Sequence, residues 1–78
     1  MMDDMTLEDF LPADARARMA RVRAMARAVL GDDYKARDFL TRPHPLLGRR
    51  RPMELVLEGE EGTRRVESIL KRSASARP

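Results

Sequence analysis

A chain of 78 residues without one cysteine has neither a disulfide nor a thiolate-held metal to staple it, so its fold must rest on a single apolar core. At that length one core stabilises only marginally, and a second copy or a partner is expected to share the task. The residues available point to helices. Alanine, arginine, leucine and methionine dominate, β-branching is sparse, and the only aromatics are one Tyr and two Phe. An all-α fold is expected, a small bundle of about five helices with one long helix among short ones.

Prolines and glycines punctuate the chain into those helices. Met5-Thr6-Leu7-Glu8-Asp9-Phe10 reads as a short first helix, with Thr6 as cap, acids in the first turn and Met5 and Phe10 at the staple positions. Pro12 interrupts it. The long helix follows from about Ala13 to Leu30, and Gly31 supplies the residue that tolerates a left-handed C-terminal end. At about 100° per residue, Ala15, Met19, Val22, Met25, Ala26, Val29 and Leu30 form one broad core stripe. Ala17, Ala20, Ala24 and Ala28 line a narrower face, which reads either as a homodimer seam or as alanine chosen for helix propensity alone.

Asp32 or Asp33 caps a helix reaching about Leu40, with Ala36, Phe39 and Leu40 turned inward, and Pro43 ends it. Pro43-His44-Pro45-Leu46-Leu47-Gly48 is a stiffened turn whose two leucines are expected to plug the core. Pro52 suits the first position of a short helix through Leu57, with Glu54 at its positive end. After Glu58 and Gly59, a last helix runs from about Glu60 to Arg72, with Gly62, Val66, Ile69 and Leu70 on one face. Residues 73–78 are expected to form a flexible tail. The expected organisation is therefore an acidic segment over 1–12, a helical domain over 13–72 and that tail.

Charge is uneven. Net charge is +3, yet residues 1–14 hold acids only, while residues 15–30 hold Arg16, Arg18, Arg21, Arg23 and Arg27 and no acid. Arg49, Arg50 and Arg51 make a second basic knot. Such blocks steer association with an anionic partner or simply solvate a face. DNA contact on its own is not expected: the basic helix lacks the Lys, Asn, Gln or aromatic residues that read bases, and the acidic start leaves no room for a helix-turn-helix. The acidic start is also unlike a signal peptide, and no apolar run approaches the roughly twenty residues of a membrane span, so a cytoplasmic protein is expected.

Chemistry finds no foothold. His44 is the only histidine, so no zinc set assembles, and glycines at 31, 48, 59 and 62 match neither a dinucleotide fingerprint nor a phosphate loop. No paired nucleophile and base stands out, and the acids Glu58, Glu60 and Glu61 are explained by a helix N-terminus. No catalytic residue, metal or cofactor is expected.

An ordered set of features then spans some fifty residues: Ala28-Val29-Leu30-Gly31-Asp32, a helix with Ala36 and Phe39-Leu40, the turn Pro43-His44-Pro45-Leu46-Leu47-Gly48, Pro52-Met53-Glu54-Leu55, and Glu61-Gly62 with Val66, Ile69 and Leu70. From about Ala24 to Leu70 the chain resembles the toxin-binding domain of the Xre/MbcA/ParS antitoxins, the C-terminal module of proteins that pair with RES-domain toxins. The resemblance implies an all-helical, non-catalytic domain that neutralises an NAD-consuming toxin. It departs where the family favours Gly and Thr or Ser and this chain has Arg49 and Arg51. It departs again at His44, where Asn is common, and at the end of the chain, where Lys71 to Pro78 lacks a His-Gly-aromatic ending. The partner surface expected from this reading is Pro43, His44, Pro45, Arg49, Arg50, Arg51, Lys71 and Arg72. The alternative is a small basic dimeric adaptor that contacts DNA or another protein through the long helix.

Overall fold

The computed structural model describes residues 10–75. Among them are four α-helices, α1 (Ala13–Leu30), α2 (Asp33–Thr41), α3 (Pro52–Glu58) and α4 (Glu60–Ser75), and one 3-10 turn (Pro45–Leu47). The fifth expected helix, at Thr6 to Phe10, lies almost wholly outside the described residues, so the count is four and the all-helical class stands.

Each boundary has a local cause. The Pro12 carbonyl accepts from the Arg16 N–H at 3.0 Å and opens α1. At the other end the Gly31 N–H closes the helix on the Arg27 carbonyl at 2.9 Å. Asp32, extended, caps α2 by accepting from the Lys35 N–H at 2.7 Å, and so satisfies one of the donors a helix start leaves orphaned. α3 begins on Pro52. There the Glu54 carboxylate accepts from the Arg51 N–H at 3.0 Å, while the Arg51 carbonyl accepts from the Glu54 N–H at 3.0 Å. The helix start is thus closed without a capping hydrogen bond from the Arg51 side chain.

α1 is the spine. It buries Ala15, Met19, Val22 and Ala26 and packs against α4, α2 and α3. Met25, Val29 and Leu30 flank that stripe, half-buried. Val22, Val56, Val66 and Leu70 are fully enclosed where α1, α3 and α4 meet, each contributing about 1.5–3 kcal/mol by leaving water. Ala36 and Leu40 of α2 join them, with Phe39 partly covered.

α4 extends three residues beyond the expected end at Arg72, through Ser73, Ala74 and Ser75. These are small residues that a helix tolerates, and the Ser73 hydroxyl donates back to the Ile69 carbonyl at 3.1 Å. The start of the expected tail is therefore helical.

Candidate protein-docking site

The loop between α2 and α3 is closed by its own backbone. The His44 carbonyl accepts from both the Leu47 and Arg49 N–H groups at 3.0 Å, and the His44 N–H donates to the Arg50 carbonyl at 3.0 Å. The Arg50 N–H in turn donates to the Leu47 carbonyl at 3.2 Å. His44 also caps the 3-10 turn, its Nδ1 accepting from the Leu46 N–H at 3.1 Å. Its ring meets Phe39 edge-on, with centroids 5.9 Å apart and planes at 72°. The histidine side chain thus holds the turn by a hydrogen bond to its own backbone, and adds an aromatic contact.

A turn so satisfied has its side chains left over for the outside. Leu47 is 4% exposed and enters the core, but Leu46 is 58% exposed, which corrects the expectation that both leucines plug it. Adjacent residues in one tight turn cannot both face inward when the backbone between them is pinned to His44. Pro43, Pro45, Arg49 and Arg51 are exposed beside Leu46.

Arg49 holds a left-handed backbone, φ 65°, the only positive φ among the described non-glycine residues. A side chain there costs about 1–2 kcal/mol over glycine, and its guanidinium makes no ion pair with any described residue. Arg50 differs from its neighbours. It forms a two-pronged pair with Glu58 and lies 3.9 Å from Glu54. This contact holds the Glu58 carboxyl below its ordinary value of 4.5 and raises the arginine. Two of the three arginines in the expected knot therefore remain open, and one is committed.

Beside the loop lies a recess of about 330 Å³, between Tyr34, Phe39, Pro43 and His44. Tyr34 is 78% exposed on its rim. The sequence reading did not select Tyr34. The signal was present: with Ala36, Phe39 and Leu40 inward on α2, position 34 falls on the outer face. Lys71 and Arg72 are exposed on the last turns of α4, and no hydrogen bond or ion pair among the described residues links them to the loop.

The arginines of α1 are mostly engaged within the fold. Arg18, 13% exposed, donates to the Val56 carbonyl at 2.9 Å and the Leu57 carbonyl at 3.2 Å, and pairs with Asp14 at 3.1 Å. Arg21 bridges Glu60 at 2.5 Å and Glu67 at 2.9 Å, which holds the Glu60 carboxyl below its ordinary value. Arg27 pairs with Asp33 at 2.6 Å. A surface of five arginines facing a phosphate backbone is not what α1 presents. Ala17, Ala20, Ala24 and Ala28 are exposed along it.

Among the described residues no group of three or more His, Cys, Asp or Glu side chains could hold a metal ion, and every buried side-chain N or O atom has a partner. No helix among them is long and apolar enough to cross a membrane. Fold and surface together define a small all-helical module that turns a stiff, apolar and basic loop outward.

Residues 25–75, about two thirds of the chain, match the family model of the antitoxin Xre/MbcA/ParS C-terminal toxin-binding domain, and the chain belongs to that family. No curated protein and no solved structure is significantly similar to it. The match begins inside α1 and ends at Ser75, so it takes in the loop and all of α4.

Proposed function

We propose that this chain is an antitoxin that binds a RES-domain, NAD-consuming toxin in the cytosol and covers its active site. The contact surface is the loop from Pro43 through Arg51, with Lys71 and Arg72 at the end of α4 as a second point of contact. Family membership supports the toxin-binding role. One structural observation carries the choice of surface: Arg49 accepts a left-handed backbone that glycine would adopt without strain, and is exposed with no ion pair to any described residue. Strain held at an exposed position is the mark of a side chain kept for contact, and a guanidinium binds a carboxylate or phosphate with two hydrogen bonds. Leu46 and the Tyr34 recess supply the apolar anchor that an interface centre needs.

Co-expression with a RES-domain toxin tests this. The proposal expects restored growth and a complex that elutes as one species. Continued toxicity with the two chains eluting apart would remove it.

A further inference from the structure

α4 turns a cationic face outward that the fold does not use. At about 100° per residue, Arg64, Arg65, Ser68, Lys71, Arg72 and Ser75 lie within an arc of about 120°, away from the buried Val66 and Leu70. All six are exposed, and at 1.5 Å per residue they span about 16 Å. Glu61 is the one carboxylate within that arc. Arg65, Lys71 and Arg72 make no hydrogen bond or ion pair among the described residues, and Arg64 comes only within 3.9 Å of Glu60.

The acids that could neutralise this face are held by α1 instead. Arg21 takes Glu60 at 2.5 Å and Glu67 at 2.9 Å, both on the flank of α4 that meets α1. The two long helices therefore differ in kind: Arg18, Arg21 and Arg27 of α1 are spent within the fold, and the cations of α4 are left over.

The pattern fits a linear polyanion. The face carries no apolar side chain to enter a lipid surface. Two pairs of cations stand seven residues apart, about 10 Å, with the Ser68 hydroxyl between them as a further phosphate donor. A duplex offers one negative charge per about 1.7 Å of its axis, so a row of this length meets several phosphates. The chain has no Asn or Gln, and the face no aromatic, to read base edges.

We infer that the outer face of α4 binds the phosphate backbone of a nucleic-acid duplex, without regard to sequence. Lys71 and Arg72 are shared with the toxin contact proposed above; Arg64, Arg65 and Ser68 are not, and the duplex contact is measured with no toxin present.

The probe is a fluorescent mixed-sequence DNA duplex, titrated with the full chain and followed by anisotropy. With three to four phosphates neutralised, affinity is expected to fall about 40- to 150-fold between about 50 and 200 mM salt. Arg65→Gln, Lys71→Gln and Arg72→Gln together keep helix propensity and should weaken binding at least about tenfold at the lower salt, flattening the salt dependence to about one phosphate. The reference is Arg16→Gln, Lys35→Gln and Arg37→Gln together, which removes the same charge from α1 and α2 and should leave most of the affinity in place. No binding at about 50 mM salt overturns the inference. Equal losses in the two triple variants overturn it by reducing the contact to net charge. Equal affinity for poly-glutamate overturns it by making the face a site for acidic protein.

Discussion

The two connections that flank α3 are built to opposite ends. At the α3–α4 joint, polar groups are spent on contacts within the fold. Thr63, fully buried, donates its hydroxyl to the Gly59 carbonyl at 2.8 Å, Arg18 reaches across from α1 to the last carbonyls of α3, and Gly62 lies against the backbone of Leu55. At the α2–α3 loop the backbone satisfies itself and the side chains of Leu46, Arg49 and Arg51 are left outside. On the function proposed above, the difference separates residues kept for folding from residues offered to a partner. Substitutions at the joint are expected to change stability, and those at the loop to change binding.

The largest effect is expected from Gly62→Ala. A Cβ at that position would stand 2.2 Å from the Leu55 carbonyl oxygen, so two backbones must separate. We expect a loss of about 3 kcal/mol, and a melting temperature lower by more than about 10 °C. A shift within error would show that α3 and α4 are not in the close contact described.

Arg18→Met retains the aliphatic stem and removes the guanidinium from the Val56 and Leu57 carbonyls. A loss of about 2 kcal/mol in urea unfolding is expected, as for hydrogen bonds to a charged donor. Unchanged stability would mean that water serves those carbonyls equally well.

Arg49→Gly sharpens the contrast from the other side. Relieving the left-handed arginine is expected to raise stability by about 1 kcal/mol while weakening toxin binding, the opposed pair of changes that marks a residue retained for function. Lower stability, or tighter binding, would break it.

The smallest effect concerns pH. Glu58 and Glu60 are held below their ordinary value of 4.5 by Arg50 and Arg21, and Asp14 below its ordinary 3.8 by Arg18. Carboxyls lowered on folding contribute stability that is complete above those ordinary values and lost as pH falls through the folded ones. Thermal stability should thus be flat near neutrality and decline below about pH 4.5, and Glu58→Gln should make that decline shallower. All three groups are exposed, so the slope is small.

Much of this architecture was legible from residue types alone. Gly31 and Asp32 mark the α1–α2 boundary by chemistry acting within a few residues. Pro52 and Glu54 do the same for α3, and the Ala15-to-Ala26 stripe follows from helical period. What was not legible depends on residues distant in the chain. Arg18 finds its carbonyls 38 and 39 residues away, and Arg21 its carboxylates 39 and 46 away, so neither could be told from a solvated cation by its neighbours. Leu46 and Leu47 were indistinguishable in type and position, and only the closure of the turn on His44 sends one in and the other out. Gly62 was placed on the correct face of α4, but its closeness to Leu55 is a property of two helices, not of one.

The most direct test of the central division is a titration of a RES-domain toxin with the chain carrying Leu46→Ser and Arg49→Gly together, with melting temperatures measured alongside. The account predicts affinity weaker by at least about tenfold, equivalent to about 1.4 kcal/mol, with no loss of melting temperature. Undiminished affinity in a folded double variant would contradict it, because the loop would then not be the surface the toxin recognises.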